Sequence, residues 1–336
     1  MKERLNSIEF FRVFFILCVI VGHCIERYYT PFKYGLTNTR FCCELFFMIS
    51  GFFLYRKIAS DDRESCFRVA KKMYARLVPA YFFLVFLCLC FGLMKTTRLP
   101  TVFTLTSGLS LSYEAVGWGD WFIGTYFWSL LFFVGILSYF RKCSVWLTCL
   151  IIYIAFSLKM HTPYPGWGTH LHFFIGSEFV RGIYSVGMGI LFGYFNEVVH
   201  FPKTKKVRFL FSVGEIYCIV SLLKYILNTS SQTFLELETM FGFLLISASC
   251  SQGVICSALN KCSLGGVLSK YCYSVFMMHC FPLLFLMKRT DLGLTPFQSC
   301  LFILFGAVVL GVFSYHMIER RFFPYMFNLL KKGEVK

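Results

Sequence analysis

Residues 10–24 read FFRVFFILCVIVGHC, an apolar run of membrane-spanning character that nevertheless holds Arg12 and His23. An ionisable group at bilayer depth costs at least roughly 2.5–3.5 kcal/mol on insertion scales, so each needs a partner, an aqueous cavity or a chemical task. The two stand eleven residues apart. Eleven helical steps of about 100° return to within about 20° of the starting azimuth and rise about 16 Å, which puts both groups on one stripe of a helix. Two readings stay open: the side chains snorkel to opposite headgroup layers, or the stripe lines a polar interior.

The rest of the chain repeats the character of this run. Its 336 residues are 57% hydrophobic, 20% aromatic and only 15% charged, with a mean hydropathy of +0.65. Ten apolar runs are expected to be spans, at 8–26, 41–56, 74–94, 121–140, 144–160, 173–195, 208–227, 234–256, 271–288 and 297–318. The predicted fold is therefore an all-α polytopic membrane protein of about ten transmembrane helices. It is expected to form one integral-membrane domain over residues 1–336, with no soluble domain fused to it. A net charge of +16 would suggest a nucleic-acid partner for a soluble protein, but here Lys and Arg alternate with the spans. With the first segment cytoplasmic, 22 of the 33 fall on inner segments and 9 on outer loops, and Arg12 and Arg181 lie inside spans. The positive-inside rule then predicts that both termini are cytoplasmic. No nucleic-acid partner is expected, and nothing in the sequence specifies the oligomeric state.

Sixteen cysteines include no CxxC pair, and most stand in apolar runs. They read as small apolar side chains rather than as a disulfide framework, and neither zinc nor a redox centre is expected. Asn6, Ser7, Glu9 and Arg12 interrupt the start of the first run, so it is expected to be a retained helix and not a signal peptide.

Further ionisable groups fall inside or at the edge of other runs. Glu44 lies in RFCCELFFMISGFFLYR (40–56), Asp120 in GWGDWFIGTYFW (117–128), Arg181 in SEFVRGIYSVGMGILFGYF (177–195) and His279 in YCYSVFMMHCFPLLF (271–285). Each has a bland alternative. Asp120, between Trp118 and Trp121, fits an interfacial aromatic belt; His279 fits a packed core; Glu44 and Arg181 fit an ion pair between helices. Together, imidazole, carboxylate and guanidinium suit chemistry or substrate gating.

The spaced Arg12 and His23, then LFFMISGFFLYR (45–56), ARLVPAYF (75–82), DWFIGTYF (120–127), YSVFMMH (273–279) and HMIERRFFP (316–324), resemble in this order the integral-membrane acyltransferase 3 family. The resemblance covers essentially the whole chain. It implies transfer of an acyl group, usually acetyl from acetyl-CoA, to a hydroxyl of an envelope glycan or a lipid-linked saccharide, by a multi-pass protein of the cytoplasmic (inner) membrane. A sugar hydroxyl is a poor nucleophile, so a base is needed, and neutral His23 is the candidate. Glu44 is the first candidate to orient it and Asp120 the second. The oxyanion that develops on the donor's thioester falls to Arg181 or to the Ser50 hydroxyl. The donor's phosphates fall to Arg12 and Arg76. His279 is the natural carrier if the acyl group passes through a covalent relay rather than directly. A flippase for a lipid-linked saccharide and a non-catalytic scaffold are the rival readings.

Overall fold

A computed structural model of the chain describes residues 5–28, 39–60, 66–106, 109, 120–160, 170–172, 175–227 and 233–332. In chain order the helices are α1 (Asn6–Tyr28), α2 (Cys42–Ser60), α3 (Cys66–Cys90), the short α4 (Leu99–Thr104), α5 (Asp120–Tyr139), α6 (Ser144–Met160), α7 (Ser177–Val198), α8 (Lys205–Ile226), α9 (Phe234–Cys250), α10 (Val254–Lys261), α11 (Leu264–Leu268), α12 (Cys272–Met278), α13 (Cys280–Lys288), α14 (Pro296–Phe313) and α15 (Arg320–Lys332). A small antiparallel ribbon, β1 (His170–His172) with β2 (Ile175–Gly176), precedes α7 and departs from the all-helical expectation.

Each of the ten apolar runs contains a helix, although 173–195 opens ahead of α7 and takes in β2. Six stretches are long and apolar enough to cross a membrane unaided: Asn6–Tyr28, Phe67–Cys90, Trp121–Tyr139, Lys205–Ile226, Leu264–Lys288 and Pro296–Met326. A seventh is α9 with α10, if a bent pair counts as one span. The remaining three are α6, apolar but short; α2, with Glu44 in its first turn and Lys57 in its last; and α7, which carries Glu178, Arg181 and Glu197. The protein is a helical, multi-pass membrane protein.

The run 234–256, expected as one span, is two helices bent by 56°. Ser251 takes a left-handed conformation at φ 51°, and Gly253 caps α10. Such a break frees backbone N–H groups that lipid cannot satisfy. Buried Glu215 of α8 accepts from the amides of Ile255 and Cys256 at 2.8 and 3.2 Å, and from the Ser247 hydroxyl. A Cβ at Gly253 would stand 2.1 Å from that carboxylate, so only glycine fits there.

By their internal contacts the residues group into two compact units. The first comprises Met1–Ser60, Val145–Ile152 and Tyr184–Cys272; the second comprises Asp61–Ser144, Tyr153–Ile183 and Tyr273–Lys336. In the first, α2 and α7 meet backbone to backbone. A Cβ on Gly51 would lie 2.1 Å from the Val186 carbonyl oxygen, and one on Gly189 would lie 2.1 Å from that of Met48. Small residues are what allow helices in lipid this close, because packing replaces the hydrophobic drive that lipid removes. Phe241 of α9 stacks on Phe41 at 5.4 Å and meets Phe15 of α1 edge-on at 5.2 Å. Asn260 of α10 accepts from the amide and hydroxyl of Ser7 at 2.9 and 2.7 Å and donates to the Ala248 carbonyl at 2.9 Å, fastening the start of α1 to α9 and α10.

In the second unit Phe122 of α5 meets Phe276 of α12 at 4.9 Å. Gly311 of α14 lies against Val275, where a Cβ would come within 2.7 Å of the Val275 Cα. Gly182 of α7 is covered by Thr125 and Ser129 of α5.

Two glycine variants separate close packing from helix propensity. Gly189→Ala is expected to destabilise the protein by roughly 1–3 kcal/mol, because the methyl group meets backbone that cannot yield. Gly135→Ala, where a Cβ meets nothing within 4 Å, is expected to be neutral or stabilising by about 0.5–1 kcal/mol. Thermal midpoints of the purified variants in detergent check both, and equal midpoints would contradict the packing argument.

Candidate functional site

In the first unit α1 and α2 pair along one short stretch. The thiols of Cys18 and Cys42 are neighbours across it. One turn on along α1, Gly22 is pressed against Thr39, whose Oγ1 would lie 1.8 Å from a Cβ at that position. His23 follows Gly22 and is only 8% exposed; Glu44 follows Cys43 and is 1% exposed. The imidazole and the carboxylate are thus buried on two helices, α1 and α2, that pack against each other. Glu44 stands in the first turn of α2, where unsatisfied N–H groups and the helix dipole favour a negative charge and offset part of the cost of burying it.

The other two predicted residues of this unit are engaged within their own helices. Ser50 donates its hydroxyl hydrogen to the Phe46 carbonyl at 2.8 Å, one turn back. Arg12, half-buried, donates to both carboxylate oxygens of Glu9 at 3.2 Å.

Glu238 was missed by sequence reasoning. It lies on α9, is 1% exposed, and accepts a hydrogen bond from the Ser185 hydroxyl on α7. Its depth follows from the α2–α7 register. Gly189 faces Met48 and Gly193 faces Phe52, so the two helices keep one offset. Four residues earlier stand Glu44 on α2 and Ser185 on α7, one level of the bundle with Glu238 attached to it. Glu215 was missed as well, although its carboxylate serves the α9–α10 break. The signal for both was present: each is a carboxylate inside an expected span, the criterion that singled out Glu44.

In the second unit the Arg181 guanidinium lies over the Trp121 ring, 5.0 Å from its centroid. Trp121 is 7% exposed, so it is a buried platform rather than a headgroup anchor, and the belt reading of this tryptophan is corrected. Asp120 is the first residue of α5, adjacent to Trp121 in sequence; its side chain lies outside the described residues. His279 is fully buried at the junction of α12 and α13. The break there has a local cause, since Pro282 has no N–H for the Met278 carbonyl. The ring Nδ1 of His279 bonds the Phe276 carbonyl. Nδ1 must therefore carry the hydrogen, which leaves the lone pair on Nε2. Arg181, Trp121, Phe122, Phe276 and His279 thus form an unbroken path of chain neighbours and contacts.

Arg76 is exposed near the basic end of α3, which also carries Arg68, Lys71 and Lys72. It makes no hydrogen bond or ion pair among the described residues. The next residue, Leu77, accepts at its carbonyl from the Tyr273 hydroxyl at 2.6 Å.

A multi-pass helical protein that buries histidines and carboxylates within its spans is built for chemistry or passage at bilayer depth, not for anchoring alone. Residues 5–316 match the family described as an acyltransferase domain, and the chain belongs to this acyltransferase 3 family. Neither a curated protein nor a solved structure matches the chain. Membership makes acyl transfer its activity.

If Trp121 sets the plane of Arg181, Trp121→Leu is expected to slow transfer about fivefold, in keeping with about 1 kcal/mol for a partly desolvated cation–π contact. Trp121→Phe is expected to keep most of the rate. Turnover of both variants, measured as free thiol released from acyl-CoA, checks this. Equal losses would assign Trp121 to packing.

Proposed function

We propose that the chain is an acetyl-CoA-dependent O-acetyltransferase of the cytoplasmic (inner) membrane, crossing it about ten times with both termini cytoplasmic. Its acceptor is a hydroxyl of a cell-envelope or lipid-linked saccharide. The observation that supports this most is the burial of an imidazole, His23 of α1, and of a carboxylate, Glu44 of α2, on two helices that pack against each other. Neutral His23 takes the acceptor's proton as the hydroxyl oxygen attacks the thioester carbonyl. The C–O bond forms, the C–S bond breaks, and the imidazolium returns its proton to the departing CoA thiolate. Glu44, with Asp120 as the alternative, holds the other ring nitrogen and the tautomer. Arg181 is the cation for the developing oxyanion. Of the two phosphate candidates Arg76 is the better suited, because Arg12 already carries Glu9.

Direct transfer is preferred over a relay. The pantetheine arm spans roughly half of a ~30 Å hydrocarbon core, and a single step needs fewer placed groups. His279, with its lone pair on Nε2, is the carrier if a relay operates. The second reading, passage of a lipid-linked saccharide without covalent chemistry, is favoured by the bent α9–α10 pair, since discontinuous helices line transport sites. Against it, the amides freed at that bend are already taken by Glu215.

Release of free thiol from acetyl-CoA by the purified protein, with a panel of saccharide acceptors, tests the proposal. Saccharide binding without any release would favour passage. His23→Ala is expected to lose roughly 10²–10⁴-fold in rate while inserting normally; full activity would remove His23 from the mechanism. Arg76→Ala is expected to raise the KM for acetyl-CoA more than that for the acceptor, and an unchanged donor KM would reduce Arg76 to a topology anchor. An acetylated protein trapped from labelled acetyl-CoA without acceptor, and lost in His279→Ala, would overturn direct transfer.

A further inference from the structure

Between α14 and α15 the helix widens into a π-helical turn, Ser314–Glu319. Such turns are rare and are found often at functional sites. Their geometric effect here is specific. In an α-helix, residues five apart point about 140° away from each other, whereas i→i+5 bonding brings them onto one side. Ser314, fully buried, accordingly reaches Glu319 with its hydroxyl 3.5 Å from Oε1. On α12, the fully buried Ser274 donates to the same oxygen. Ser274 is itself fixed, because the neighbouring Val275 meets Gly311 of α14 at backbone distance. Two hydroxyls therefore hold one oxygen of the Glu319 carboxylate in place.

Arg76 of α3 lies in electrostatic reach of this carboxylate and of the Tyr273 hydroxyl, and Tyr273 bonds the carbonyl of Leu77 beside it. Among the described residues no ion pair joins the carboxylate to the guanidinium and no hydrogen bond takes the N–H donors of Arg76, which leaves them for an anion. Resting on the reading of Arg76 as the donor-phosphate residue, we infer that Glu319 is its positioning residue. The π-turn, Ser274 and Ser314 hold the carboxylate so that the exposed guanidinium is presented in one direction to the phosphates of a nucleotide thioester. A fixed carboxylate behind a guanidinium orients the fork as second-sphere groups orient a metal ligand. This gives a reason for a buried pair of serines around an acidic residue at the basic end of the molecule.

The test uses the full-length protein in detergent and two probes, CoA and pantetheine, whose Kd values are measured by calorimetry. Glu319→Gln is expected to weaken CoA roughly fivefold, the scale of a partly exposed charge pair, and to leave pantetheine, which has no phosphate, unchanged. Ser274→Ala, which keeps both charges and releases one hydrogen bond, is expected to weaken CoA in the same direction and serves if Glu319→Gln does not fold. In an Arg76→Ala background, Glu319→Gln is expected to have no further effect, because a residue acting through Arg76 loses its route. Losses that add in the double variant, or equal losses for CoA and pantetheine, would overturn the inference. An unchanged CoA Kd in both Glu319→Gln and Ser274→Ala would overturn it and leave the Arg76 reading standing. An unchanged Kd in Arg76→Ala would remove both.

Discussion

The constraint on which the structure depends is that lipid offers no partner to a polar group. Every backbone N–H and every charge placed among the spans must be answered from within the protein. The α9–α10 bend shows the rule at work. A break in a span frees amides, and the chain answers with a carboxylate from a neighbouring helix, a serine beside it, and a glycine that makes room for both. Asn260 does the same for the start of α1, accepting from Ser7 and donating to the carbonyl end of α9.

A second consequence concerns how the helices pack. Because apolar side chains gain little by leaving lipid for one another, association depends on close approach. Gly51 and Gly189 bring α2 and α7 to backbone distance, and Gly311 does so for α14 and α12. These contacts fix register, and register carries function with it. Counting back four residues from the Met48–Gly189 contact places Ser185 at the level of Glu44, and Ser185 holds Glu238. A side chain at the crossing would change depths along the whole pair, and the buried polar level would lose its alignment.

The helical class was legible because spans are long apolar runs, and each of the ten runs contains a helix. What periodicity could not show was the interior of those runs. The bend in 234–256 arises from Ser251 and Gly253 together with a carboxylate from another helix, a non-local cause. The π-turn at Ser314–Glu319 likewise depends on packing against α12, with nothing in HMIERRFFP to mark it. Among the residues singled out as ionisable groups in apolar runs, His23, Glu44 and His279 are buried. The criterion was applied unevenly, which is why Glu215 and Glu238 were passed over. For Trp121 the aromatic belt stayed open as an alternative, because a tryptophan at a span end looks the same in sequence whether it faces headgroups or an arginine.

The same constraint favours an imidazole as the base of the mechanism proposed above, and a carboxylate to accompany it. A carboxylate that must stay charged at bilayer depth needs donors, and Glu215, which accepts from two amides and a hydroxyl, is committed to them. A neutral imidazole carries no such cost between turnovers. It becomes charged only while it holds the acceptor's proton, and a carboxylate nearby then stabilises the imidazolium when stabilisation is needed. Glu44 is buried in the first turn of α2, where the helix dipole favours a negative charge. On the proposed reading, His23 and Glu44 divide the labour so that a base stands at depth without an unanswered charge there.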